Sequence, residues 1–218
     1  MSDRLRWALL GAALILLSVV LFLSPALDEQ GHEDFIVYWS AARLLLIGGD
    51  PYDPDALRNL QDQTLPNRPQ TPGQAFASWN PPWLLLIMAP FGAMPFHLAV
   101  RLWFFVSLLF VAATVWMTWH LLMSRESDPG LVVALCAAVL WSGTLMTLHI
   151  GQVSTLLVVG LFFGALCLHL KRDVLAGVLL LLCLLKPHIV YFALVVIGIW
   201  IIREHRWRVV LGGGTAAG

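Results

Sequence analysis

The residues of this 218-residue chain that could do chemistry on a substrate stand where apolar runs end. His32, Glu33 and Asp34 follow a long uncharged run and open the stretch DFIVYWSAARLLLIGGDPYDP, which is too polar and too punctuated to enter a bilayer. A carboxylate at such a rim can meet a membrane-bound substrate. Lys186 and His188 flank Pro187 inside an otherwise apolar stretch, and an ionisable residue in hydrocarbon is costly enough to suggest function. Arg101 is a further cation beside an apolar run, and Gln152 is a neutral polar group that can bond hydroxyls at a turn. Each of these residues also has a plainer use. Asp34 can cap a helix starting at Phe35, Lys186 can snorkel from a helix end, Arg101 can anchor at an interface, and Gln152 can satisfy a helix end. Tyr38, Trp39 and Trp79 could stack on a sugar ring or a lipid chain, or serve as ordinary interfacial belt residues.

The elements that must position these residues are membrane helices. Apolar residues make up 59% of the chain and charged ones 12%, with the charges clustered between apolar runs, so a charged soluble exterior is excluded. Trp7 to Leu27 is uncharged and about as long as the ~20 residues a crossing helix needs. Arg4 and Arg6 before it place the N-terminus in the cytoplasm. Further runs follow at Leu102 to Met123, Leu131 to His149, Val153 to Leu170, Val174 to Leu185 and Ile189 to Ile202, and another starts near Val209. Placing Arg125, Lys171, Arg172, Arg203, Arg206 and Arg208 on the cytoplasmic side puts Gly151-Gln152 and Lys186-Pro187-His188 at outward turns. Pro82 to Pro95 is too short to cross and reads as a re-entrant or interfacial helix. Val174 to Ile202 reads as a short hairpin with Lys186-Pro187-His188 at its tip, because the residue before a proline is biased away from helix.

Between the first span and Asn80 lies the outer loop, about residues 28–81. Phe35 to Ile47 has helical spacing, with Phe35, Trp39, Ala42 and Leu46 on one side, as for a helix lying on a membrane surface. It stops at Gly48-Gly49, Asp50 to Pro54 makes turns, and Asn59 to Ala77 has the composition of a flexible loop. Gly160 and Gly164 form a small-xxx-small pair suited to close helix packing. Cys136, Cys167 and Cys183 fall within predicted spans, which argues against a disulfide framework or a zinc site. His97, His120, His149 and His169 stand singly near span ends, so no metal is expected. With zero formal net charge and no long basic tract, nucleic acid is not an expected partner.

The order Asp34, Tyr38, Ala41-Ala42, Gly48, Pro51-Tyr52, then Asn80-Pro81-Pro82, Gly151-Gln152 and Lys186-Pro187-His188 resembles glycosyltransferase family 87. The resemblance runs from residue 1 to about 211. It implies an all-α integral membrane protein of the GT-C architecture, a single membrane domain over residues 1–218 with six or seven spans, in a bacterial plasma membrane. It also implies transfer of a hexosyl residue, such as mannosyl, from a polyprenyl-phosphate donor to a lipid or glycan acceptor at the outer face. Members are longer, and the ending LGGGTAAG just inside a seventh span reads as a truncation.

On that resemblance Asp34 is the general base, with Glu33 as its competitor. An inverting transfer needs a base for the acceptor hydroxyl proton, and an ordinary Asp near ~3.9 would need partial burial to serve. Lys186, His188 and Arg101 would neutralise the donor phosphate and ease its departure. Tyr38, Trp39, Gln152 and Asn80 would line the sugar or lipid. No cofactor is expected, and a divalent metal has no residue pattern to support it. Two other classes stay in view: a transporter or flippase with a broken helix at Lys186-Pro187, and a non-catalytic membrane subunit.

Overall fold

The computed structural model describes residues 33–65, 80–122 and 129–217; the expected first span Trp7 to Leu27, His32 and Trp79 lie outside them. Among the described residues the fold is all-helical with no strand. The chain divides into two compact units, with the boundary between Gln152 and Val153 and with Asn80–Leu84 grouped with the second.

The first unit begins with α1 (Glu33–Leu46) and α2 (Pro54–Thr64). Acidic Glu33 and Asp34 occupy the first turn of α1 and Arg43 the last, as the helix dipole favours. The expected one-sided pattern of α1 does not decide its packing: every residue from Phe35 to Ala42 is buried, on all sides of the helix. α2 overturns part of the expected loop, because Asn59 to Thr64 are its last turns. Its start is local chemistry, with the Asp53 carboxylate accepting from the Asp55 and Ala56 N–H groups and Pro54 fixing the first helical position. Leu57 then packs with Ala41, Leu44 and Leu85. Beside them the Gln61 amide, 3% exposed, donates to the fully buried Ser40 hydroxyl at 3.0 Å.

α3 (Pro82–Gly92) has 11 residues, roughly 16 Å at ~1.5 Å per residue, well short of a ~30 Å core. α4 (Phe96–Leu122) starts earlier than the run from Leu102 suggested and takes His97 and Arg101 into its first two turns. The expected continuous run Leu131 to His149 is broken into α5 (Pro129–Leu140) and α6 (Ser142–His149), whose axes bend by 55°. Trp141 at the break is extended (φ −59°, ψ 130°), and Ser142-Gly143 after it are weak helix formers. Among the described residues, Phe96–Leu121 is the one helix by itself long and apolar enough to cross a membrane, and the bent pair makes a second if counted as one span. The expected six or seven spans are not reached by helices counted singly.

The second unit contains α7 (Ser154–His169), α8 (Asp173–Leu180) running into a 3-10 turn (Leu181–Leu185), α9 (Pro187–Arg203) and α10 (Arg208–Ala217). α7 and α8 press together where glycine permits. A Cβ on Gly160 would come 2.7 Å from the Leu179 carbonyl, and one on Gly164 would come 2.8 Å from Leu180. The core joins Cys167, Leu168, Ala176, Leu180 and Cys183 to Ile201 and Val209, with Val190, Leu194 and Ile197 packed against it. Both ends of α9 therefore lie along α7 and α8, so the chain reverses at Lys186-Pro187 as the hairpin reading expected. The residues from Val209 onward form α10, which crosses α8 backbone to backbone: a Cβ on Gly177 would overlap the Val209 carbonyl.

Candidate functional site

Helix starts leave backbone donors without intrahelical partners, and in α1 those donors find an acceptor far along the chain. The N–H groups of Asp34 and Phe35 both donate to the Ile150 carbonyl, at 3.2 and 3.3 Å. Asp34 therefore sits inside the first turn, half-buried, with Glu33 exposed before it. It is not the cap of a helix beginning at Phe35.

The turn that supplies Ile150 has its own constraints. Gly151 lies at φ +70°, a region that suits glycine, and a Cβ there would stand 2.5 Å from that of Phe35. The Gly151 carbonyl accepts from the buried Trp103 indole N–H at 3.0 Å, while the Gln152 N–H closes back on Thr147 at 2.9 Å. Half-buried Gln152 is thus carried on a turn clamped directly to the start of α1.

Beneath this junction lies an aromatic cluster. Phe35 stacks on Trp103 with centroids 6.1 Å apart and meets Phe96 at 5.9 Å, and Trp103 meets Phe91 edge-on at 5.4 Å. Trp39 contacts Phe96 edge-on at 5.4 Å and gives its indole N–H to the Met94 carbonyl at 3.1 Å. One turn further on, the Arg43 guanidinium reaches the Gly92 carbonyl at 3.3 Å. Such pairs add to plain burial, and together they hold α1 against its neighbours at Phe35, Trp39 and Arg43.

Of the residues singled out from sequence, Glu33, Asp34, Tyr38, Trp39, Arg101 and Gln152 belong to the first unit and Asn80, Lys186 and His188 to the second. The structure brings Asp34 and the Gly151-Gln152 turn together. Tyr38 and Trp39 are 5% and 6% exposed, so both rings face the interior of their unit. Arg101 is half-buried in the second turn of α4. Half-buried Lys186 is the N-cap residue of α9, Pro187 takes its first position, and His188 is exposed in its first turn. Half-buried Asn80 precedes α3. Among the described residues, no group of three or more His, Cys, Asp or Glu could hold a metal ion.

Two indoles escaped the sequence reading. Trp103 orients the Gly151 turn, and the signal was an indole N–H within an apolar run, which needs an acceptor. Trp83, next to Pro82, has a buried N–H with no partner among the described residues.

The family model of glycosyltransferase family 87 matches residues 79–218. The match takes in Arg101, Gly151-Gln152 and Lys186-Pro187-His188 and starts after Asp34. No curated protein and no solved structure matches the chain.

Proposed function

The chain belongs to glycosyltransferase family 87, and from that we propose that it moves a hexosyl residue of the mannosyl type from a polyprenyl-phosphate donor to an acceptor, with inversion and with Asp34 as general base. Family membership makes it a glycosyltransferase acting on a sugar donor and an acceptor, and the apolar helix Phe96–Leu121 agrees with a membrane protein. In our reading this is a GT-C protein of the bacterial plasma membrane, with its active face outside.

The observation that carries the assignment of the base is the junction of α1 with the turn at Ile150. It ties the backbone of Asp34 to the Ile150-Gly151-Gln152 turn, and positioning of this kind is what a proton-transfer group requires. The acceptor hydroxyl attacks the anomeric carbon as Asp34 takes its proton. The bond from that carbon to the phosphate oxygen breaks, and the polyprenyl phosphate leaves with the electron pair. Gln152 would orient sugar hydroxyls. Lys186 and His188, at the positive end of the α9 dipole, suit the charge that develops on the leaving phosphate, and Arg101 is a further candidate for it.

The test is transfer of labelled sugar from polyprenyl-phosphate donors to membrane lipids, comparing the native protein with Asp34→Asn at equal level in the membrane. Removing a general base should cost at least about a hundredfold in rate. Transfer that survives moves the base to Glu33. No transfer by the native protein over a broad donor panel would favour the transporter reading, to which the bend at Trp141 and the break at Lys186 lend themselves.

A further inference from the structure

α7 and α9 end in turns that break a local rule in the same way. Lys171 in the first turn has φ +58° and His205 in the second has φ +53°, a backbone region that suits glycine and strains a residue carrying a Cβ. Two strained turns lie side by side because Arg206 ties them. Its guanidinium donates to the Leu168 carbonyl at 2.8 Å and pairs with the Asp173 carboxylate, while its Cζ lies over the Trp200 ring, 4.7 Å from the centroid.

With Arg206 closed on Asp173, the same end of this unit presents Lys171, Arg172, Arg203 and Arg208, all exposed, against the single exposed carboxylate of Glu204. Around these cations the surface is apolar: Leu170, Val174, Ile202 and Trp207 are each more than half exposed. Water suits the charges and not this ring, and a purely apolar partner suits the ring and not the charges. A bilayer surface accommodates both, with the apolar side chains among acyl chains, the indole at headgroup level and the cations beside phosphates.

We propose that the two turns joined by Arg206 form a docking surface for anionic phospholipid headgroups. It lies at the opposite end of the α9 hairpin from Lys186 and does not depend on the transferase reading. The net positive charge selects anionic over zwitterionic lipid, and the Arg206 latch holds the two sets of cations at a fixed spacing.

The test measures the thermal midpoint of the detergent-solubilised full chain with added phosphatidylglycerol, phosphatidylcholine or inorganic phosphate. The surface predicts a midpoint that rises with phosphatidylglycerol and not with the other two. The rise should shrink by more than half in a Lys171→Gln, Arg172→Gln, Arg203→Gln, Arg208→Gln variant and persist in Arg58→Gln, a cation of the first unit. Equal response to the two lipids, a rise with phosphate alone, or an unchanged response in the fourfold variant would overturn the proposal. Should that variant fail to fold, the native chain still decides, because the preference for phosphatidylglycerol must weaken as salt rises to about 1 M, where the screening length is ~3 Å.

Discussion

Trp103 and Gly151 act on the candidate site without belonging to it, and they give the sharpest single-residue expectations. Trp103→Phe keeps the ring packing but leaves the Gly151 carbonyl without its donor, a loss of about 1–3 kcal/mol for a buried orphan. Gly151→Ala adds the roughly 1–2 kcal/mol of a left-handed residue bearing a Cβ, together with the overlap with Phe35. Both should lower kcat with little change in KM, because they shift Asp34 and Gln152 without removing binding contacts; a change confined to KM would place the site elsewhere. Transfer assays paired with thermal melting read both effects. Carboxylates after an apolar run and a lysine beside a proline are local features, and so could be picked out in the sequence. That Asp34 bonds a turn more than a hundred residues away could not, because the bond is tertiary and Ile150 offers only a backbone carbonyl.

Elements were legible where local chemistry and apolar pattern agreed. α1 was foreseen from its spacing and its glycine stop, and the reversal at Lys186 from the proline and the paired basic clusters. α2 was missed altogether although Asp53-Pro54 marks its start, because polar Asn59, Gln61, Asp62 and Gln63 hid Leu57 and Leu60 on the face that packs. The bend at Trp141 was missed because neither a charge nor a proline marks it between Leu131 and His149. α2 is held by little, and its docking is testable. Leu57→Ala should cost about 2–5 kcal/mol as a core truncation, and Ser40→Ala about 1–3 kcal/mol by orphaning the Gln61 amide. Hydrogen exchange should rise at residues 54–64 in both variants, and protection that persists there would show that other contacts hold the helix.

At the scale of the whole molecule, the family was readable from the order of Asn80-Pro81-Pro82, Gly151-Gln152 and Lys186-Pro187-His188, all within the matched region. The division of the apolar runs into helices was not fully readable among the described residues, because composition measures apolar length while turns and bends decide how that length is cut. The second unit should also respond to acid in a defined direction. The hydrogen bond from Arg206, aided by the charges of Arg206 and Arg208 and opposed by partial burial, holds the Asp173 carboxyl below its usual range. A depressed folded value means the contribution is complete above the unfolded value of about 3.9 and is lost as pH falls through the lower, folded one. Thermal midpoints should therefore hold from neutral pH down to about 4 and then drop. Asp173→Asn should flatten the drop, and an unaltered acid limb in that variant would put the sensitive group elsewhere.

The same ion pair imposes an order in time. Asp173 leaves the ribosome 33 residues before Arg206, which at about 5–20 residues per second is roughly two to seven seconds. Until then α7 and α8 can meet through Gly160 and Gly164, but the Asp173 carboxylate and the Leu168 carbonyl lack the Arg206 guanidinium. The two contacts that join the turn between α7 and α8 to the end of α9 are therefore among the last that the second unit can form as the chain is made.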